Sequence, residues 1–385
     1  MSLAAEYLRK LRLSINEIEV SKAHQLQGAG DLLIDIREPD ETAAGLPAGA
    51  VALPRSALEL KIEQLAQPGD QVMLLCGSGQ RSLLAAANLH ELGYTRICSV
   101  IGGYAAWKNA QLPVVVPPRM DSVQRQRYSR QMILDQVGEA GQARLEQSRV
   151  LVVGAGGLGC PASLYLAAAG VGTLTLADAD RVELSNLHRQ VLHGTASLGE
   201  PKVQSARARL RALNPEISVR ALESRVTEAN VEALVAEHDL IIDGADNLAT
   251  RYLLNAACVA AGKPLVYAAV ERFDAQVSVF WPAAPDGPWP CYRCLFPYPP
   301  PPEAAPNCAE AGVLGVVPGI VGMMQANEAL KLLLQIGKPL TGRLLCFDAR
   351  QASWRELRLP VDPHCPGCGD QPAAVGDIVS CRTAD

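Results

Sequence analysis

Aromatic side chains are scarce in this chain: Phe, Trp and Tyr together make up 4% of it, while 49% of the residues are hydrophobic. Its cores must therefore rest on Ala, Val and Leu. A strong excess of charge of one sign is also missing. A formal net charge of -5 leaves no large basic surface, which argues against duplex nucleic acid as a partner. The opening MSLAAEYLRKLRLS has no charged start followed by a long apolar run and a small-residue cleavage site. No secretory signal and a cytoplasmic location are therefore expected. One uncharged stretch, Val150 to Ala177, is long enough to span a bilayer. It carries six glycines and Pro161, which break it into strand, turn, helix and strand, so no membrane contact is expected.

Length and cysteine are what the chain has in quantity. Its 385 residues exceed what a single core usually supports, so two domains are expected. Eleven cysteines without a signal point to metal binding or catalysis rather than disulfides. LLID (32–35) and QVMLLC (71–76) read as buried strands, and RSLLAAANLHELG (81–93) as a helix stopped by glycine. VVVPPRMDSVQRQR (114–127) shifts from apolar to proline-containing and polar, which marks the boundary. Beyond it RVLVVG, TLTLAD and DLIID read as strands, and PASLYLAAAG and PKVQSARARLRALN as helices. Such alternation implies a mostly parallel sheet with helices on both faces. YPPPPEAAPN (298–307) reads as a stiff exposed loop. The helix at 317–337 is apolar nearly all round and belongs in a core or a subunit interface. The fold class is α/β throughout, with domains at 14–116 and 121–385.

The run Gly154-Ala155-Gly156-Gly157-Leu158-Gly159 follows a strand and opens a helix. The glycines let the backbone approach a nucleotide, and the helix N-terminus offers N–H groups to phosphate. Asp178 ends the next strand, where a carboxylate holds ribose hydroxyls. These residues alone fit an NAD-dependent dehydrogenase equally well. The segment Ser185-Asn186-Leu187-His188-Arg189-Gln190 adds two amides and a guanidinium to the same crevice. Lys202 opens the next helix, within reach of phosphates. Asp246-Asn247 follows DLIID, where a carboxylate is most useful as a holder of Mg²⁺. Each has a plainer reading, a solvated helix face for Lys202 and a helix cap for Asp246-Asn247, but their convergence on one crevice favours ATP.

RYSRQMIL, GAGGLGCPAS, SNLHRQ, the lysine of GEPKV, DGADN, PCYRCLFP and NCAEAGV, in that order, resemble the MoeB/ThiF family, over about Asp121 to Asp370. These are bacterial adenylyltransferases related to ubiquitin-activating enzymes. The resemblance implies a Rossmann-like adenylation domain in which Gly157, Asp178, Ser185, Asn186, Arg189, Lys202, Asp246 and Asn247 contact ATP or its metal. It also implies a homodimer, with Arg130 reaching the neighbouring subunit's nucleotide. The implied partner is a small ubiquitin-like sulfur carrier ending in Gly-Gly, with the molybdopterin-synthase small subunit as first choice and a thiamine-pathway carrier second.

Cys291-x-x-Cys294 and Cys365-x-x-Cys368 offer four thiolates in two pairs, the ligand set of a structural Zn²⁺; a redox pair is the competing reading. A fully thiolate shell leaves no position for water, so the zinc would be structural and tie the C-terminal segment back to the domain. Cys308, after the proline-rich loop, is either a nucleophile or an incidental small residue. By the same resemblance it forms a covalent link with the carrier or a persulfide.

In the first domain Cys76-Gly77-Ser78-Gly79-Gln80-Arg81 follows a buried strand and precedes a helix. Backbone N–H groups, Arg81 and the helix N-terminus would stabilise a thiolate or persulfide there. LLIDIREPDE, GLPAGAVALP and VIGGYAAWKNAQLPV resemble a rhodanese domain over about residues 14–116. That implies Cys76 as sulfur carrier, charged by a cysteine desulfurase or thiosulfate, and Asp35 with Arg37 as a buried structural pair. The histidine usual before the family's I-P-G-A turn is missing. Gly45-Leu46-Pro47 stands there, with an expected effect on local packing only. Two further readings remain at this stage, a dehydrogenase using NAD and a non-catalytic binding module.

Overall fold

A computed structural model describes residues 3–116, 120–300 and 312–369. The chain divides into two compact units, Met1–Asp121 and Ser122–Asp385. Among the described residues no helix is long and apolar enough to cross a membrane.

The first unit is built on a parallel sheet of β1 (Asn16–Ile18), β2 (Leu32–Asp35), β4 (Val51–Ala52), β5 (Val72–Leu75) and β6 (Ile97–Val100), in the order β1-β6-β5-β2-β4. β3 (Leu46–Pro47) and β7 (Val114–Val115) form a separate antiparallel pair. Every residue of VMLL in β5 is buried, because successive side chains feed opposite faces of the sheet. Val72 and Leu74 join one apolar cluster, with Leu83, Ala86 and Leu89 of the helix Gln80–Glu91. Met73 and Leu75 join the other, with Val20, Ala23 and Trp107. The helix ends where Gly93 takes a positive φ of 97°, a conformation that suits glycine.

The second unit holds an eight-stranded sheet: β8 (Arg149–Val153), β9 (Thr173–Ala177), β10 (Ser218–Leu222), β11 (Leu240–Asp243), β12 (Leu265–Glu271), β13 (Asp274–Phe280), β14 (Arg343–Asp348) and β15 (Ser353–Arg358). Its order is β10-β9-β8-β11-β12-β13-β14-β15. The first five strands in that order are parallel. The last three add antiparallel pairs, so the sheet is more mixed than the sequence pattern suggested. Val150 and Val152 of β8 pack towards the helices Gly159–Ala169 and Val316–Leu334. Leu151 and Val153 pack towards the helix Leu248–Ala261. The apolar helix read at 317–337 spans Val316–Leu334 and stops because Gln335 adopts a left-handed φ of 58°. A side chain on Gly322 would lie 2.5 Å from the carbonyl oxygen of Leu158, so glycine is what lets this helix lie against its neighbour.

The chain runs from β8 outward to β9 and β10, then returns to β11 on the other flank of β8. The order reverses there, and open α/β sheets bind ligands outside the carboxyl ends of strands at such a switch point.

Candidate functional site

The glycine-rich turn leaves β8 at this switch point. Gly154 has a φ of 94°, and a Cβ on it would sit 2.5 Å from the carbonyl oxygen of Gly244, in the turn after β11. A Cβ on Gly159 would overlap the carbonyl oxygen of Gly154 itself. The two turns that frame the crevice thus touch through backbone alone. Gly156 and Gly157 are half-buried.

Asp178 follows β9, and the turn fixes its carboxylate. Oδ2 accepts from the N–H of Ala155 at 2.7 Å, and Oδ1 from that of Asp180 at 2.8 Å. Ser185 and Asn186 lie at the short 3-10 turn Leu184–Asn186, and both side chains reach Glu183 at 3.4 Å. Leu187 is half-buried and His188 exposed. Arg189 donates to Asn186 Oδ1 at 2.8 Å and to the carbonyl of Ser185 at 3.2 Å. Its side chain passes over Gly157, with Cδ 3.6 Å from where a Cβ would stand. Gln190 is 4% exposed, its Nε2 lies beside Gly156, and its Oε1 has no hydrogen-bond partner among the described residues. A buried acceptor without a donor costs free energy, and an amino or hydroxyl group of a ligand would satisfy it.

Lys202 opens the helix Lys202–Leu213, is 6% exposed, and donates to Asp180 Oδ2 at 2.8 Å. Its ammonium is therefore held at the crevice by a carboxylate that a phosphate can replace. Asn247 caps the helix Leu248–Ala261 by accepting from the Thr250 N–H at 2.9 Å. Its amide also donates to Asp246 Oδ1 at 3.3 Å, which leaves Asp246 exposed at the mouth. Behind them Asp243 is buried, and burial raises its carboxyl pKa, opposed by Arg251 at 3.6 Å. Arg251 also donates to the carbonyls of Ala245 and Ala268, bracing this turn. Arg130 lies on the helix Ser122–Met132, exposed, with no hydrogen bond or ion pair among the described residues.

The thiols of Cys291, Cys294, Cys365 and Cys368 lie within 4.8 Å of one another. Cys291 and Cys365 approach to 3.6 Å and Cys294 and Cys368 to 3.5 Å. Tetrahedral zinc with sulfur at about 2.3 Å sets thiolates about 3.8 Å apart, so this cluster suits a metal, and its sulfurs are too far apart for disulfides. Cys294 is the thiol drawn to ionise, because Cys291 and Cys368 hydrogen-bond to it. Cys308 lies outside the described residues.

In the first unit Cys76 is the buried residue next after β5, and its Sγ accepts from the Gly79 N–H at 3.1 Å and from Ser82 Oγ at 3.5 Å. Gly79, with a φ of 90°, precedes the helix Gln80–Glu91. A side chain on Gly103 would overlap the Cys76 carbonyl oxygen. The loop is thus seated on the backbone of 102–105, where Tyr104 N–H donates to that same oxygen at 2.7 Å. Arg81 does not bond the sulfur. It is tied to both carboxylate oxygens of Glu41, at 2.6 and 2.7 Å, and this contact holds the Glu41 carboxyl down at about 2. Asp35 and Arg37 form a buried pair at 2.7 Å. Arg37 also donates to the Gly45 carbonyl at 2.6 Å and stacks on Tyr104 at 3.6 Å. Where the histidine was missing, a Cβ on Gly45 would meet Tyr104 Oη at 2.6 Å.

Sequence reading missed Glu41, Asp180, Asp243 with Arg251, and His193. Glu41 ends LLIDIREPDE and Asp243 opens DGADN, but neither motif announces the partner, while Asp180 and His193 lie outside every motif. The partners stand up to 40 residues away.

Known proteins resemble both units of the chain. The model described as ThiF family matches residues 128–367, and that described as Rhodanese-like domain matches 19–110. A sulfur carrier protein adenylyltransferase of Thermus thermophilus is 56% identical over 247 residues, covering 64% of this chain and 91% of that one. A SAMP-activating enzyme E1 of Haloferax volcanii is 51% identical, covering 65% and 91%. The adenylyltransferase and sulfurtransferase MOCS3 of Anopheles gambiae is 48% identical, but the match covers only 55% of its length and 64% of this chain. A crystal structure of E. coli MccB with ATP shares the fold, with a TM-score of 0.54 at 22% identity over 74% of this chain and 91% of that one.

Proposed function

We propose, from the premise that this chain belongs to the ThiF family, that it adenylates the C-terminal glycine of a small ubiquitin-like sulfur carrier and then supplies the sulfur for its thiocarboxylate. The observation that carries this reading is the crevice at the switch point, in one chain with a rhodanese-like cysteine loop. There Asp178 and Arg189 meet a glycine-rich turn, Lys202 is tied to Asp180 beside Asp178, and the turn that leads to Asp246 touches the glycine-rich turn through Gly244. ATP is the substrate of the crevice. Asp178 holds its ribose, the N–H groups of the turn and Arg189 meet its phosphates, and Lys202 exchanges Asp180 for a phosphate oxygen. Asp246, exposed and bonded among the described residues only on one oxygen by Asn247, is the residue to hold magnesium, which neutralises phosphate charge when bound. Arg130 is assigned to the nucleotide of a second copy in a homodimer.

The carrier's carboxylate attacks the α-phosphorus and pyrophosphate leaves. Positioning and charge neutralisation do most of this work. A sulfur donor, either thiosulfate or the persulfide of a cysteine desulfurase, converts Cys76 to a persulfide. Its terminal sulfur attacks the acyl carbon and AMP leaves. A thiolate, the role given to Cys308, then attacks the Cys76 sulfur. The thiocarboxylate departs, and the remaining disulfide is reopened by a thiol reductant. Zinc on the four cysteines is structural. The molybdopterin-synthase small subunit is the first candidate carrier and a thiamine-pathway carrier the second.

The test is carrier-dependent exchange of pyrophosphate into ATP, followed by a mass measurement of the carrier. Exchange with a Gly-Gly-ended carrier, lowered on the order of 10²-fold in Asp246→Asn, supports the reading. Exchange with none of the candidates contradicts it.

A further inference from the structure

His193 stands outside every motif and is 8% exposed. Its Nε2 lies 3.0 Å from the carbonyl oxygen of Ala155, and its Nδ1 lies 3.0 Å from Ser205 Oγ. A carbonyl only accepts, so Nε2 carries the proton. Nδ1 of the neutral ring then faces the Ser205 hydroxyl as an acceptor, and the single Ser205 proton is shared between Nδ1 and Ser197 Oγ at 3.1 Å. Burial lowers the His193 pKa, in keeping with a neutral ring. A leucine would fill similar space without the desolvation cost of an imidazole, so the two hydrogen bonds need a purpose.

That purpose is visible at Ala155. Its N–H holds Asp178 Oδ2 at 2.7 Å, while its carbonyl takes His193 and, at 3.3 Å, the thiol of Cys160. The imidazole and the carboxylate therefore grip one residue of the glycine-rich turn from two sides. The same ring joins that turn to the helix of Lys202 through Ser205, and it lies three residues beyond Gln190. Three segments of the crevice meet on it.

We infer that His193 is a positioning residue for nucleotide binding, which orients Ala155 so that Asp178 faces the ribose hydroxyls. The inference rests on the reading that the crevice takes ATP. It adds that recognition of the ribose is set from the far side of the turn, by a side chain that never touches the ligand. Removing the imidazole leaves the Ala155–Gly156 peptide held only by the weaker Cys160 thiol among the described residues. Through the shared Ala155 Cα this loosens the N–H that holds Asp178, while Arg189 and Asp246, on other turns, keep their own supports.

The test uses the full chain in carrier-dependent pyrophosphate exchange, with ATP and its 2′,3′-dideoxy analogue as alternative substrates. In His193→Leu the KM for ATP rises about tenfold, kcat changes less, and most of the preference for ATP over the analogue disappears. His193→Gln, which keeps a donor for the Ala155 carbonyl, restores part of that preference. Ser205→Ala shifts it the same way by a smaller factor, and serves if His193→Leu does not fold. Thiosulfate–cyanide sulfur transfer at Cys76 reports that the first unit is intact, and a cooperative unfolding transition of the second unit reports that it is folded. Wild-type preference in both His193→Leu and Ser205→Ala overturns the inference, as does a fall in kcat with the preference kept. A wild-type protein that exchanges no pyrophosphate overturns the ATP reading itself, which is a separate failure.

Discussion

Replacing Arg37 by Leu removes half of a buried ion pair and gives the sharpest stability test of the first unit. Asp35 is fully buried and Arg37 is 4% exposed. The guanidinium meets Asp35 through Nε at 3.0 and 3.1 Å and Nη2 at 2.7 Å, satisfies the Gly45 carbonyl, and lies on the Tyr104 ring. After the change the Asp35 carboxylate keeps, among the described residues, only the backbone N–H of position 37 at 3.1 Å. Breaking a buried pair on one side costs about 3–5 kcal/mol. At about 4 °C per kcal/mol for a unit of this size, the midpoint falls by roughly 12–20 °C. Calorimetry reads the shift, and residual sulfur transfer after heating assigns it to this unit. Asp35→Leu combined with Arg37→Leu recovers part of the loss, because no charge is left stranded. A single variant that loses less than about 1 kcal/mol, or a double variant as unstable as the two singles summed, refutes the reasoning.

Four further outcomes follow from named contacts. Glu41→Gln releases Arg81 to face an anionic donor, so kcat/KM for thiosulfate rises several-fold; an unchanged or lower value contradicts this. The Glu41–Arg81 pair also stabilises the unit fully above the ordinary carboxylate value of 4.5, and loses that contribution as pH falls through about 2. Both side chains are 40% exposed, so the effect stays below about 1 kcal/mol, and acid titration of Glu41→Gln shows it missing. Gly159→Ala forces a methyl group into the Gly154 carbonyl and abolishes nucleotide exchange while sparing thiosulfate chemistry; retained exchange would mean the turn is not the binding element. Metal analysis finds one zinc per chain, and Cys294→Ser lowers both zinc content and the unfolding midpoint of the second unit. A wild-type protein free of zinc but equally stable contradicts the structural assignment.

The local placement of the candidate site's motifs was legible in the sequence, because the glycine turn and DGADN each sit at the end of a strand; SNLHRQ, at a 3-10 turn well beyond β9, was legible only as a motif. GAGGLG needs no distant residue to announce that backbone must pass close to backbone. The paired cysteines carried their chemistry in their spacing. What stayed hidden depends on tertiary contacts: Lys202 on Asp180, Arg81 on Glu41 rather than on the sulfur, and His193 under Ala155. The antiparallel half of the second sheet was also hidden. SWRELR in β15 is exposed along its whole length, so it offers no periodic apolar signal.

The most direct test of the central claim is a single-turnover reaction. The chain is loaded with isotopically labelled sulfur on Cys76, freed of excess donor, and mixed with ATP, magnesium and a Gly-Gly-ended carrier, whose mass is then measured. The account predicts a carrier with one terminal oxygen replaced by labelled sulfur, and none from Cys76→Ala although that variant still exchanges pyrophosphate. Labelled thiocarboxylate at the wild-type level from Cys76→Ala, or none from the loaded wild-type chain, would contradict it.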